Sequence, residues 1–271
     1  MQTFDFKDRW ALVTGASSGI GAEFAKQLAT SGSHLILTAR RESALASLAE
    51  KLRTDTGVEV VVIPADLAQS DSVPKLLEEI RGRGLTLDIV INNAGLGSVT
   101  SADQADPARM LQIVDVNVRA LTELCYACLP EMMTRGSGLI LNVASIVSFQ
   151  PVTFMAVYAA SKAYVLHLSE GLAEEAAGSG VRVTALCPGT TKTEFFDSAG
   201  ADGWIDRWGG LTPEFVVKTG LNAARRGRRV SVPAVRYKIM TFLPRLMPRQ
   251  LLLKISRRLF QSTVNEKQAQ G

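Results

Sequence analysis

Cysteine is scarce in this chain, with three among 271 residues, at Cys125, Cys128 and Cys187. An odd, sparse set builds no disulfide framework and fits a reducing compartment. Histidine is scarcer, with only His34 and His167, each beside leucines. A His-based metal centre or a Ser-His-Asp triad therefore has few members to draw on, and no metal site is expected. No uncharged apolar run reaches the ~20 residues of a membrane-crossing helix. The opening residues MQTFDFKDRW include acids and lack a long apolar core, so they do not read as a secretory signal. Together these absences suggest a cytoplasmic protein. Cys125 and Cys128 do form a C-x-x-C, but it sits in the helical run LTELCYACLPEMM. With no second pair and no nearby histidine, they read as small apolar residues of that helix rather than as a redox or metal motif.

What is present is a globular composition: 46% hydrophobic and 21% charged residues. The length suits one large α/β domain or two small ones. Strand-like and helix-like patterns alternate. Residues 10–14, HLILTA, VEVVVIPAD, LDIVINNAG, GLILNVAS and VRVTALCPG read as strands. Residues 20–31, SALASLAEKLRTD, SVPKLLEEIRGRG, 107–135 and 155–177 read as helices. The strands are continuously apolar and β-branched, as a parallel sheet covered on both faces requires. The fold class is therefore α/β, a doubly wound parallel sheet. Such sheets bind ligands outside the carboxyl ends of their strands. Gly15, Gly95 and the pair Pro188-Gly189 all follow strand ends.

The stretch TGASSGIG places Gly15, Gly19 and Gly21 between a strand and a helix. Glycine lets backbone N–H groups approach a diphosphate, and the helix N-terminus favours its charge. A P-loop is excluded because no Gly-Lys-Ser/Thr follows. Alone the pattern is weak, since tight turns also need glycine. It is followed in order by Asp66-Leu67, Asn92-Asn93-Ala94-Gly95, Asn117, Ser145, Tyr158-x-x-x-Lys162 and Pro188-Gly189-Thr190-Thr191-Lys192-Thr193. That ordered set resembles the short-chain dehydrogenases/reductases over about residues 8–232. The resemblance implies a Rossmann-type sheet of about seven parallel strands that binds a nicotinamide dinucleotide. It also implies roles for residues at the matching positions. Gly15, Ser17, Ser18, Gly19, Ile20 and Gly21 would surround the diphosphate, and Asp66 and Leu67 the adenine. Asn93, Ala94 and Gly95 would line the pocket, and Pro188, Gly189, Thr191 and Thr193 would face the nicotinamide carboxamide and diphosphate.

The end of the second strand carries Ala39, Arg40 and Arg41 and no carboxylate. An acid there would bind a ribose 2′-hydroxyl and repel a 2′-phosphate, whereas a guanidinium pairs with phosphate. NADP(H) is the expected cofactor; the competing view is that the arginines merely solvate the start of a helix. For chemistry, a carbonyl being reduced needs a proton donor. Tyr158 is that candidate, with Lys162 four residues on, on the same helical face. A neighbouring ammonium is expected to lower the phenol's pKa. Ser145 can hydrogen-bond the substrate oxygen. The family comparison adds that Lys162 holds the nicotinamide ribose and that Asn117 holds a water in a proton relay. The expected reaction is NADPH-dependent reduction of a ketone or aldehyde to an alcohol. The alternatives are an NAD-linked alcohol dehydrogenase and a non-catalytic cofactor sensor or scaffold.

The family places a mobile lid at about residues 190–213. Here Phe195, Phe196, Trp204 and Trp208 supply apolar area, and Gly200, Gly203, Gly209 and Gly210 supply flexibility. These aromatics either cover a lipophilic substrate or pack the lid on the domain, with SIVSFQPVTFMAVY as the opposite wall. The domain itself is expected to span 1–232, followed by a basic amphipathic extension, 233–271. From Phe215 to Asn265 the chain has twelve basic and no acidic residues, against a whole-chain net charge of +4. Pro244 and Pro248 should split the extension into short helices. The extension suits peripheral contact with an anionic membrane, packing on the protein or a twin copy, or an acidic partner. Nucleic acid is not expected, because no reading motif appears. A homodimer or homotetramer through the 107–135 and 155–177 helices is expected from the family.

Overall fold

In the computed structural model, which describes residues 3–201 and 203–270, seven parallel strands form one sheet. They are β1 (Trp10–Thr14), β2 (His34–Thr38), β3 (Val60–Val62), β4 (Ile89–Asn92), β5 (Gly138–Val143), β6 (Val181–Leu186) and β7 (Val230–Ser231). Their order in the sheet is β3-β2-β1-β4-β5-β6-β7. The chain winds outward from β1 to β3, returns to the centre, and winds the other way from β4. The switch point therefore lies between β1 and β4, where Ala11, Leu12 and Val13 face Ile89, Val90 and Ile91. An open α/β sheet places its ligand crevice at the carboxyl ends there.

Alternation along the strands explains the two layers. Leu12, Ile36, Val90 and Ile140 point to one face. That face is covered by α3 (Ser72–Gly82), α5 (Leu121–Arg135) and α6 (Ala156–Glu175). Their neighbours Ala11, Val13, Leu35, Leu37, Ile89 and Ile91 point to the other. There α1 (Gly19–Thr30), α2 (Glu42–Thr56) and α9 (Pro213–Ala224) cover them. Successive side chains leave a strand on opposite faces, so strands buried on both sides are near-continuously apolar.

Two elements differ from the sequence reading. The third strand is confined to Val60–Val62, because Pro64 cannot donate to a ladder and breaks the run. The long 107–135 helix is α4 (Pro107–Val114) and α5 joined by a π-helical turn at Asp115–Ala120, which contains Asn117. Beyond the sheet lie α7 (Phe195–Ser198), α8 (Trp204–Trp208), α10 (Val235–Phe242) and α11 (Arg249–Gln270). A 3₁₀ turn, Leu243–Arg245, separates α10 from α11 around Pro244. Among the described residues no helix is long and apolar enough to cross a membrane.

Candidate active site

The glycine turn leads directly from β1 into α1. Gly15 and Gly19 hold φ of +65° and +55°, a left-handed backbone that a Cβ would strain. Gly21 has a different task. A Cβ there would overlap the Gly15 carbonyl oxygen and stand 2.5 Å from Asn93 Nδ2, so only glycine lets the helix fold this closely over the turn. Ser18 precedes α1 with no side-chain cap and the first turn has no acid. The opening N–H groups of α1 therefore face the crevice with room for an anion. Thr14 Oγ1 accepts from the N–H groups of Asn93 and Ala94, both at 3.0 Å. Asn93 Nδ2 donates back to the Thr14 carbonyl at 2.9 Å. These bonds lock the ends of β1 and β4 together across the switch point.

Ser145, Tyr158 and Lys162 meet on the other side of the same crevice. Ser145 lies two residues beyond β5, where its N–H is held by Ser148 Oγ at 3.2 Å, and Ser148 Oγ donates to the Lys162 carbonyl at 2.8 Å. Ser148 thus ties the serine to the helix that carries the other two. Tyr158 and Lys162 are one turn apart on α6, and both are buried. Lys162 Nζ donates to the Val143 carbonyl at 2.7 Å and lies 5.9 Å from the Tyr158 ring centroid. Asn117 is buried in the π turn. Its Oδ1 accepts from Leu96 N–H at 2.8 Å, and its Nδ2 donates to the Leu96 carbonyl and to Ser161 Oγ, both at 2.9 Å. The side chain is thus committed to holding the strand-end loop.

Burial reverses the expected direction of the tyrosine shift. Burial pushes the Tyr158 phenol up to about 12, and the nearby Ser145 hydroxyl only partly opposes it. Burial also brings the Lys162 ammonium down to about 8. A phenol surrounded by Val152, Met155 and Phe195 loses more from desolvation of its anion than it gains from a cation whose nearest partner is a carbonyl. The cysteines are also buried; the Cys125 thiol is pushed up to about 12 and receives a hydrogen bond from Asn92 at 3.4 Å.

At the end of the cavity beside β2 and β3, Arg40 and Arg41 both border it with Asp66 and Leu67. Arg41 reaches Ser17 Oγ through Nε at 3.4 Å and pairs with Glu194 at 3.5 Å. Asp66 accepts from Ala68 N–H at 3.1 Å. Sequence reasoning missed Arg119. Its guanidinium donates to the carbonyls of Leu67, Ala68 and Gln69 at 3.1, 3.1 and 2.9 Å, fixing the loop after β3. Its position two residues after Asn117 was visible, but its reach across to that loop was not. At the far end, Pro188, Gly189, Thr191 and Thr193 line the crevice. The Pro188 carbonyl accepts from Ile146 N–H at 2.9 Å, which sets this loop beside Ser145.

One cavity of about 670 Å³ joins the glycine turn, Arg40, Arg41, Ser145, Tyr158, Lys162 and the loop after β6. Every residue assigned to cofactor binding from sequence lines it; of the catalytic set, Ser145, Tyr158 and Lys162 line it, and Asn117 lies behind Leu96. Its outer half is aromatic. Phe195 sits 5.4 Å from the Tyr158 ring, Phe196 stacks on Trp204 at 5.9 Å, and Trp204 stacks on Phe260 at 4.6 Å. The lid aromatics therefore both line the cavity and pack the lid against Tyr158 and α11; the Trp208 side chain lies outside the described residues. Thr191 and Leu211 form a parallel bridge, so the lid leaves and rejoins the body at one point. The basic segment supplies the remaining wall, which sequence reasoning did not place. Leu252, Ile255, Leu259 and Phe260 of α11 line the cavity, and Tyr237 of α10 packs on Gly189, where a Cβ would overlap its ring.

Known proteins resemble this chain in sequence and fold. A family model described as short chain dehydrogenase matches residues 9–203. An uncharacterized oxidoreductase of Staphylococcus saprophyticus is 34% identical over 231 residues, 85% of this chain and 97% of that protein. Among solved structures, a short-chain dehydrogenase from Sphingobium yanoikuyae in complex with NADPH is 33% identical with a TM-score of 0.80, covering 88% of this chain and 94% of its own. A bulky-bulky ketone specific alcohol dehydrogenase from Comamonas testosteroni is 32% identical with a TM-score of 0.75, covering 88% and 92%. A Burkholderia phymatum relative in complex with NAD is 26% identical with a TM-score of 0.81, covering 89% and 94%.

Proposed function

The chain belongs to the short-chain dehydrogenase family of oxidoreductases, and from that premise we propose that it reduces a bulky, lipophilic ketone or aldehyde to an alcohol with NADPH. The observation that carries this reading is the convergence of Ser145, Tyr158 and Lys162 with the glycine turn in one cavity. The cradle fits a dinucleotide: Gly21 leaves no space for a side chain, and the α1 N-terminus is open to an anion. Residues Gly15–Gly21 would hold its diphosphate, Arg40 and Arg41 its 2′-phosphate, and Thr191 and Thr193 its carboxamide end. When bound, the nicotinamide supplies a hydride to the carbonyl carbon.

The protein's own groups handle the proton. Tyr158, held neutral by its surroundings, donates to the developing alkoxide, while Ser145 hydrogen-bonds the same oxygen. An ammonium has three N–H donors. One on Lys162 is on Val143, which leaves two for a ribose hydroxyl and for the phenolate formed as Tyr158 gives up its proton. Arg40 and Arg41 support NADPH over NADH, because no carboxylate replaces them at the end of β2. The apolar outer half supports a bulky substrate. The test is cofactor consumption by purified protein with NADPH or NADH against a panel of bulky apolar ketones and aldehydes. Turnover with NADPH is expected. No turnover with either cofactor would overturn the reductase reading, and faster turnover with NADH would overturn the cofactor choice.

A further inference from the structure

The segment from Val235 to Leu259 is anchored on one side and open on the other. Its inner side chains are committed: Tyr237 packs on Gly189, and Ser256 Oγ accepts from Thr153 N–H at 3.1 Å. Its outer side is apolar. Val235, Ile239, Phe242 and Leu246 are exposed along α10 and the turn after it, and Leu251, Ile255 and Leu259 are exposed at every fourth position of α11. Of the sixteen large hydrophobics exposed among the described residues, ten fall between Val235 and Leu259. Scattered exposed leucines are ordinary, whereas a cluster this dense marks a surface that something covers.

Charge says what kind of surface. Arg236, Lys238, Arg245, Arg249, Lys254, Arg257 and Arg258 are all exposed in this span, and no acidic residue occurs from Phe215 to Asn265. A two-fold contact between copies would set this patch against itself and bring like charges together without a counter-charge. An anionic bilayer satisfies both features at once, taking the apolar stripes into its interface and the guanidinium and ammonium groups onto its headgroups.

The cavity opens within the same patch. Met240, Ile255 and Leu259 line it and are also exposed, so they form its rim. We propose that this segment docks on an anionic lipid surface and sets the mouth of the active-site cavity against the bilayer, from which a lipophilic molecule can enter. The docking stands on the surface alone; the use made of the opening rests on the reductase reading.

The test is co-sedimentation with phosphatidylcholine vesicles, with and without phosphatidylglycerol, at low and physiological salt. Binding that requires phosphatidylglycerol and weakens with salt is expected. Replacing Arg257 and Arg258 by Gln should weaken it about 25-fold, roughly fivefold for each charge removed. Val235→Glu with Leu246→Glu should abolish it. None of these four side chains lines the cavity, so turnover of a soluble carbonyl should be unchanged. If the intact protein stays in the supernatant at low salt, or binds neutral vesicles equally well, the proposal fails. It also fails if sedimentation velocity shows a dimer that Leu246→Glu dissociates, since a second copy then covers the patch. Because binding is read without turnover, failure here and failure of the reductase reading are distinguishable.

Discussion

The two halves of the cavity are built on different principles. The cofactor half is main chain: glycine turns, strand ends and the start of a helix, positioned by the sheet and cross-linked by Thr14 and Asn93. The substrate half is side chain: Phe195, Phe196 and Trp204 from the lid and Phe260 from the last helix, held by ring contacts between segments far apart in sequence. Apart from the Arg40 and Arg41 side chains at its rim, the first half recognises what its backbone shape admits, which suits a ligand that does not change. The second can be rebuilt by exchanging a few rings, which suits specificity. Tyr158 belongs to both, facing Phe195 on one side and sharing its helix turn with Lys162 on the other.

Breaking the junction should have the largest effect. Tyr158→Phe removes the proposed proton donor and keeps the ring, so kcat should fall about 10²–10⁴-fold while NADPH affinity, by fluorescence titration, stays within twofold. A fully active variant would detach the chemistry from this residue. Next comes the substrate half. Phe260→Ala deletes a buried ring stacked on Trp204 and should destabilise the docking of α11 by about 3 kcal/mol. Hydrogen exchange should quicken in α11 and the lid, and KM for a bulky ketone should rise, with NADPH binding untouched. Weakened cofactor binding in this variant would mean that the halves are not separable. A smaller effect is expected at the rim of the cofactor half. Arg40→Ala or Arg41→Ala should each cost about 1.5 kcal/mol of NADPH affinity, the low end for a charged hydrogen bond, because both are exposed. NADH affinity and ketone KM should not change. Equal losses for both cofactors would assign the arginines to the diphosphate rather than to the 2′-phosphate.

The contrast also explains what could be read in advance. The sheet was legible because strands buried on both faces carry near-continuous apolar runs, as Ala11–Val13, Leu35–Leu37, Ile89–Ile91 and Leu139–Leu141 do. The glycine turn was legible because Gly15, Gly19 and Gly21 each meet a steric demand that no other residue satisfies as well. Arg119 was not, because its carbonyl partners from Leu67 to Ser70 lie about fifty residues away and no local pattern encodes that reach. The same holds for Phe260 on Trp204. An amphipathic basic helix could be seen, but which face it turns to the lid depends on a fold that the segment does not determine. The tyrosine shift was misread for a related reason. Spacing of four places Lys162 beside Tyr158, but it reveals neither the burial of the phenol nor the Val143 carbonyl that holds the ammonium.

That burial yields the smallest predicted effect and the cleanest sign. In the cofactor-free protein Lys162 titrates at about 8, below its ordinary value of 10.5. Between those values the unfolded chain keeps a proton that the folded one has released, so stability rises with pH. The neighbours that could oppose this are Tyr158 and Cys187, both pushed up to about 12. A raised acid acts with the opposite sign, costing stability only once pH passes its unfolded value. That value is 10.0 for the phenol and 9.0 for the thiol, so neither contributes much below pH 9. From about pH 7 to about pH 9 the lysine alone should add roughly 1 kcal/mol. Denaturant melts of wild type and Lys162→Met isolate this contribution, since every other titrating group is common to both. The stability difference, wild type minus variant, should grow in favour of wild type as pH rises. A difference that stays flat or shrinks would mean that Lys162 keeps an ordinary ammonium, with enough water around it that the phenol's isolation must be reconsidered as well.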